Sequence, residues 1–325
     1  MVEYINIKKE ELYQRLKDME PLSLATHHDA DGVYSAVLLS KIFEIGDIEF
    51  PEVFGDYSVQ NVATDIGQSL DEEWDGVIFD HHPHDMEGRK YSLVRDNIPT
   101  GGVVLEAFKD KIDPKWSWLS AGSFVGDGQA ALIPPEVFEQ HPRLLENRVS
   151  IYESYGKLSF YNYPAYSLLS SPINATCRTG KPYQAYKVLK TCQNADDVLS
   201  HPVFKADQLT LNTEMNKLIM SFGKDKKVRR SGRLIGSFLV LPFDSKYRIA
   251  SRLATKVSVV RKDMTVIAIN QETGGMSIRG NLAYWLVNEM VPLGWTMGGH
   301  GGYCGGSLKE DQTVEAFLED LRSVV

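Results

Sequence analysis

The sequence predicts an α/β fold. A mostly parallel-sheet N-terminal domain should be followed by a smaller α+β C-terminal domain, with a cleft between them. Three observations lead there. Short apolar runs alternate with helical stretches through the first half, the pattern of a parallel sheet. Three of those runs end in acids or histidines, at Thr26-His27-His28-Asp29-Ala30-Asp31-Gly32, Asp65-Ile66-Gly67 and Asp80-His81-His82-Pro83-His84. Beyond about residue 232 a second set of strand and helix patterns begins.

Residues 8–18 have Leu12 and Leu16 spaced for one face of a surface helix. Leu22–Ala25 reads as a strand and residues 33–44 as a helix. Ile48–Phe54, Val59–Thr64 and Gly76–Phe79 read as further strands. Pro99-Thr100-Gly101-Gly102 signals a helix start, with the helix running to Phe108. Trp116–Phe124 is helical and runs into Gly126-Asp127-Gly128. Residues 133–195 read as helical with long turns, with Tyr183–Leu189 the clearest helix. Leu209–Phe222 is a helix, and a charged stretch follows. The expected division is therefore 1–195, a connector over 196–232, and 233–325. In the last part, Leu234–Leu241, Thr265–Asn270, Met276–Ile278 and Tyr303–Leu308 read as strands. Tyr247–Val257, Asn281–Met290 and Val314–Val324 read as helices.

The chain has 325 residues, 43% apolar and 24% charged, enough to bury cores in two domains. A net charge of −8 argues against a protein coated in base for duplex binding. Cys177, Cys192 and Cys304 have no CxxC spacing, so buried packing in a reducing cytoplasm is expected. The first residues have no apolar core for a secretory signal, and no stretch approaches the apolar length of a membrane helix.

His27, Asp29, Asp31, Asp65, Asp80, His81 and Asp127 can converge at the sheet's carboxyl edge, where open α/β sheets bind ligands. In an extended run, residues two apart point the same way, so His27, Asp29 and Asp31 project together and His28 points aside. Carboxylates crowded like this repel and call for cations. Mixed carboxylate and imidazole donors suit Mn²⁺ or Mg²⁺. Two such ions about 3.5–4 Å apart can activate water and clamp a phosphoryl group. Asp65 and Asp127 are also ordinary turn or cap residues. His28 and His84 read as solvated or capping, and His141 and His201 as structural.

Gly298-Gly299-His300-Gly301-Gly302 can turn backbone N–H groups toward an anion, with His300 as a further donor. Arg279, in Ser277-Ile278-Arg279-Gly280, can clamp a phosphate bidentately or be a surface arginine. Basic residues dominate from Gly223 to Lys262, a bias that can draw in a polyanionic strand or line a solvated face. Aromatics at 160–166 can stack bases, with core packing the plainer expectation.

Together these motifs resemble the DHH phosphoesterases. The first matches His-x-Asp-x-Asp-Gly at His27, Asp29, Asp31 and Gly32. The name-giving Asp-His-His is Asp80, His81 and His82. Asp65 and Asp127 match two further single-acid motifs, and the Gly-His-Gly region resembles the DHH-associated domain, with Tyr303 and Cys304 in place of smaller residues. The resemblance implies that His27, Asp29 and Asp65 hold one metal. It gives Asp31, Asp65, His81 and Asp127 to a second, with Asp80 orienting a ligand or lying just outside. His82 would stand at the leaving group, and Arg279, Gly299, His300 and Gly301 would bind substrate. The implied activity is Mn²⁺- or Mg²⁺-dependent hydrolysis of nucleotides or short single-stranded oligonucleotides, as in RecJ-type and nanoRNA-degrading members. Pyrophosphate or polyphosphate hydrolysis is the alternative. A metal-free scaffold is the reading from another class, and it would show broken ligand positions, whereas all are intact.

Overall fold

The computed structural model describes residues 1–51, 57, 59–68, 71–154, 157–221 and 232–325; the side chains of 150–160 and of His300 lie outside that description. The chain divides into two compact units. One comprises Met1–Tyr152 with Ser159–Gln208, the other Glu153–Leu158 with Leu209–Val325.

The first unit opens with β1 (Glu3–Ile5), α1 (Lys9–Asp18), β2 (Leu22–Thr26), α2 (Ala30–Leu39), β3 (Ile45–Glu49), β4 (Val62–Thr64), β5 (Val77–Asp80) and β6 (Ser92–Arg95). The sheet order is β1-β6-β5-β4-β2-β3, with β1 antiparallel to β6 and the other pairs parallel. The chain winds outward from β2 to β3, then crosses back to β4 and continues the other way. The switch point therefore lies between β2 and β4, where Thr26 pairs with Thr64. A crevice at such a point takes ligands at the carboxyl ends of the strands.

Strand alternation sorts this sheet into two faces. Leu24, Val62, Val77, Phe79 and Val94 join the main core, while Ala25, Ala63, Ile78 and Leu93 join Tyr57, Trp74 and Tyr91 on the other side. Every residue of α2 is buried, including Asp31 and Ser35. A helix apolar all round belongs inside a protein. It packs against α3 (Thr100–Ala107) and α4 (Trp118–Gly126).

After α5 (Pro135–Gln140) the chain departs from expectation. Residues 133–195 were expected to be helical, yet β7 (Asn147–Ser154) and β8 (Lys157–Pro164) form a two-stranded sheet. The Val, Ile, Tyr and Phe content of these segments suits strands, and the pairing supplies what the apolar pattern did not reveal. Tyr161 and Tyr163 are exposed rather than core residues, and their rings stack at 6.0 Å. The remaining helices of this region are α6 (Ser170–Arg178), α7 (Pro182–Thr191), α8 (Ala195–Ser200) and α9 (Pro202–Ser221). The short edge strand β1 and its neighbour β6 are also absent from the sequence reading.

The second unit contains β9 (Arg233–Ile235), β10 (Phe238–Phe243), α10 (Ala250–Val260), β11 (Thr265–Asn270), β12 (Gly275–Arg279), α11 (Ala283–Met290), β13 (Thr296–His300), β14 (Tyr303–Ser307) and α12 (Val314–Val324). Its sheet order is β13-β14-β12-β11-β10-β9, parallel only between β10 and β11. It has its own core, built from residues such as Phe238, Ile267, Ile278, Leu286 and Phe317. The glycine-rich segment is a hairpin rather than a loop. Gly298, Gly299 and His300 belong to β13, and only Gly301-Gly302 turns. Gly299 has φ +129, and a Cβ there would lie 2.7 Å from Cys304 Cα, so this position needs glycine.

Part of the expected strand Ile48–Phe54, and the end of the helix at Phe222, lie outside the described residues. So do Lys224, Lys226, Lys227, Arg229 and Arg230 of the basic stretch. Among the described basic residues, Arg233 pairs with Glu315 and Arg261 with Asp263. All three cysteines are buried, as expected. No helix among the described residues is long and apolar enough to cross a membrane.

Leu38 lies within α2 and is fully buried. Leu38→Ala should lower unfolding free energy by about 2–5 kcal/mol. Urea denaturation would show it as a lower midpoint with an unchanged slope.

Candidate metal centre

The centre assembles from four chain segments. β2 ends at Thr26, and His27 follows as the strand gives way to α2. Asp29 caps that helix, its side chain accepting from Gly32 N at 3.1 Å. Gly32 is packed so close that a Cβ would collide with the His27 carbonyl oxygen. The first motif is thus a tight strand-to-helix corner, further pinned by Ala30 N donating to Asn174 Oδ1 at 2.9 Å.

Asp65 follows β4 directly and takes φ +58, in the left-handed region. Aspartate tolerates this conformation better than most residues, but it carries strain of the kind found at functional sites. Its backbone N–H donates to Phe79 O at 3.0 Å. Asp80 ends β5, and Asp127 caps the C-terminus of α4.

Three sets of donor atoms lie within 4.8 Å of one another: His27, Asp29 and Asp65; Asp31, His81 and Asp127; and Asp65, Asp80, His81 and His82. His27 Nδ1 is 3.1 Å from Asp29 Oδ2 and 3.7 Å from Asp65 Oδ2. His81 Nε2 is 3.1 Å from Asp127 Oδ2, 3.3 Å from Asp65 Oδ1 and 3.8 Å from Asp31 Oδ2. Asp65 and His81 therefore connect the sets.

The carboxylates differ in who holds them. Asp31 is fully buried and accepts from Thr100 N at 2.8 Å, from Gly101 N at 3.1 Å, and from the Ser35 and Ser123 hydroxyls. The first turn of α3 thus directs two N–H groups at it. Asp80 Oδ1 accepts from His81 N, His82 N and His82 Nδ1, the last at 2.7 Å. Its Oδ2 accepts from Gly67 N at 2.7 Å and His84 Nε2 at 3.0 Å. By contrast, Asp65 Oδ2 and Asp127 Oδ2 are buried without a hydrogen bond.

Electrostatics follow that division. Burial and the charges of Asp31, Asp65 and Asp29 push the Asp127 carboxyl up to about 9. Burial and neighbouring acids also hold Asp65 well above the ordinary carboxylate range, and burial raises Asp31 despite His81 and Ser123. Burial opposes the charge on Asp80, but His82 and His84 outweigh it and hold the carboxyl well below its usual value. Burial likewise opposes charge on Asp29 and His27; their mutual attraction wins, lowering the first and raising the second.

These residues fit divalent cations. Carboxyl oxygens sit buried and unbonded beside imidazole nitrogens, and the donor set is carboxylate and imidazole with no thiolate.

The sequence reading missed the supporting residues Thr100, Gly101, Ser123 and Asn174. The helix start at Thr100 was visible, but nothing local showed which carboxylate it would face. His84 needs correction. It was expected to be solvated or capping, yet its side chain is wholly buried between Asp80 and Tyr91. His141 is structural as expected, its Nε2 lying 3.0 Å from Ser117 Oγ.

In the second unit, Arg279 donates from Nε to Thr255 Oγ1, from Nη1 to Ile278 O and Cys304 O, and from Nη2 to Ser251 Oγ. Four of its five N–H groups are therefore engaged by the protein, so a bidentate clamp on phosphate needs one of these bonds to open. Arg279, Lys262, Thr255, Ser258, Gly302 and Tyr303 are among the residues lining a cavity of about 400 Å³. The side chain of His300 lies outside the description.

No family profile matches the sequence. No curated protein matches it either. Solved structures do. RecJ from Thermus thermophilus, in complex with Mn²⁺, aligns with a TM-score of 0.67 at 14% identity, over 97% of this chain and 54% of the other. This chain thus spans about half the length of that protein. An exonuclease RecJ bound to manganese aligns at 0.62 and 14% identity, over 98% of this chain and 95% of the other. The DHH domain of a protein described as a member of a ribosomal protein family aligns at 0.64 and 11% identity, over 97% and 89%. The fold is that of the DHH proteins.

Asp127→Asn should act in opposite directions with and without metal. Asparagine removes the cost of protonating this carboxyl on folding, so it should raise the melting temperature of chelated protein at neutral pH, by the equivalent of about 1 kcal/mol or more. The same change should weaken Mn²⁺ binding by at least about tenfold, measured by calorimetry.

Proposed function

We propose that this chain is a metal-dependent phosphoesterase that hydrolyses nucleotides or short single-stranded oligonucleotides, using two divalent cations, Mn²⁺ or Mg²⁺. The observation that supports it most is the convergence of His27, Asp29, Asp31, Asp65, His81 and Asp127, with carboxylate oxygens left for a cation. His27, Asp29 and Asp65 would hold one ion. Asp31, Asp65, His81 and Asp127 would hold the other, so Asp65 serves both. When bound, such ions polarise phosphoryl oxygens and lower the pKa of water.

The chain's own groups supply the rest. Asp80 fixes His82 through Nδ1 at 2.7 Å, and burial of the His82 ring is outweighed by Asp80, so the imidazole is held above its ordinary pKa. A half-exposed imidazole favoured in its protonated form suits proton donation to a leaving oxygen. Asp80 itself, already surrounded by donors, acts by orienting His82. Arg279, Gly299, His300 and Gly301 would bind the phosphate of the substrate. The RecJ structures, one of an exonuclease and both with manganese, add support at the level of fold.

The test is Mn²⁺-dependent hydrolysis across dinucleotides, longer RNA and DNA, a 3′-phosphoadenosine nucleotide and pyrophosphate. Dinucleotides or short single strands should be cleaved fastest. His82→Ala should lower kcat by about 10²–10⁴-fold. Cleavage of pyrophosphate alone would replace this reading with the pyrophosphatase alternative. No cleavage of any substrate, with Asp31→Ala also silent, would end the enzymatic reading.

A further inference from the structure

His84 has no part in the mechanism above, yet it is tied to it. Its side chain is wholly buried, with Nε2 3.0 Å from Asp80 Oδ2 and Nδ1 3.1 Å from the Tyr91 hydroxyl. An ionised carboxylate can only accept, so His84 must donate from Nε2. In the neutral ring Nδ1 then carries the lone pair and accepts from Tyr91. Each donor in the row has one available acceptor: Tyr91 O–H to His84, His84 N–H to Asp80, and His82 N–H to the other oxygen of Asp80.

The surroundings keep this row in place. Tyr91 is fully buried and packs on Trp74, with ring centroids 5.8 Å apart. Asn6 Nδ2 donates to Tyr91 O at 3.1 Å. Trp74 meets Tyr57 edge-on at 5.2 Å, and the Tyr57 hydroxyl donates to Gly67 O. Gly67 in turn donates its N–H to Asp80 Oδ2 at 2.7 Å. Asp80 Oδ2 thus sits between a backbone donor and His84, which fixes the carboxylate plane and so the direction in which Oδ1 holds His82.

We propose that His84 is a positioning residue for His82: Tyr91 sets the His84 tautomer, His84 orients Asp80, and Asp80 aims the His82 ring. This rests on the phosphoesterase reading. His84 is buried away from solvent, so its loss should slow turnover without weakening substrate or metal binding. Supporting residues of this type are commonly worth about 10–100-fold.

The test compares His84→Leu, His84→Gln and Tyr91→Phe in the full chain, with a 5′-phosphorylated dinucleotide and Mn²⁺. In His84→Leu, kcat should fall about 10–100-fold, while KM and the Mn²⁺ dissociation constant stay within about threefold. His84→Gln, which keeps an N–H donor near the same place, should recover most of the loss. Tyr91→Phe should show a smaller fall in kcat with KM unchanged, and it carries the test if His84→Leu does not fold. The ring ¹⁵N shifts of His82 give a readout apart from turnover. Recorded at a pH high enough to make the His82 ring neutral, they should report a proton fixed on Nδ1 in the parent protein and a mixture of tautomers in His84→Leu or Tyr91→Phe. Unchanged kcat in both His84→Leu and Tyr91→Phe overturns the proposal, as does a loss in kcat that Mn²⁺ affinity fully matches. If the parent protein cleaves nothing, the phosphoesterase reading falls. The ¹⁵N spectra then decide the orienting row alone, and identical His82 shifts in parent and variants refute it.

Discussion

Buried negative charge at the carboxyl edge of one sheet is the constraint on which the first unit depends. Carboxylates out of water are costly unless something answers their charge. Here the answers are unequal. Asp80 and Asp29 find histidines and N–H groups of the chain itself and are held ionised. Asp65 and Asp127 each keep a buried oxygen without a hydrogen bond and are pushed toward the protonated form. A fold that only needed to be stable would not leave them so. The imbalance makes chemical sense when a divalent cation completes the set.

The scaffold explains how such strain is tolerated. Asp29 and Asp31 sit where β2 turns into α2, a helix buried on all sides and gripped by α3 and α4. A fully buried leucine side chain contributes about 1.5–3 kcal/mol, and α2 buries Leu38 and Leu39 along with two valines and a tyrosine. That packing offsets the left-handed backbone at Asp65 and the crowding at Gly32. The start of α3 does a second task by aiming two backbone donors at Asp31. The rigid core and the charged rim are therefore built from the same helices.

In the second unit a different arrangement holds. Its glycines serve a hairpin in which two backbones come close, as the contact between Gly299 and the Cys304 backbone requires. Arg279 commits most of its donors to the protein, stacking also over Tyr303 at 5.2 Å. It is better described as the fixed positive wall of a cavity than as a mobile clamp.

The sequence by itself determined the strand-end acids, the two-part organisation of the pattern and the residue types able to hold a cation. These are local properties: an apolar run, a turn glycine and an acid within a few residues are visible without knowing any neighbour. Alternation even carried hidden information about Asp80. It follows Phe79 and shares a face with Ile78, which puts it with Tyr57, Trp74 and Tyr91 rather than under the helices. What only the tertiary structure decided was which donor answers which acceptor. Thr100 and Asp31 are far apart in sequence, as are Ser123 and Asp31, and no periodicity links them. The burial of His84 likewise came from Tyr91, brought close by the pairing of β5 with β6. The ribbon of β7 and β8 escaped for the same reason, because a strand is defined by a partner. Local chemistry is written residue by residue, but hydrogen bonds between distant segments exist only once the sheet order has been chosen.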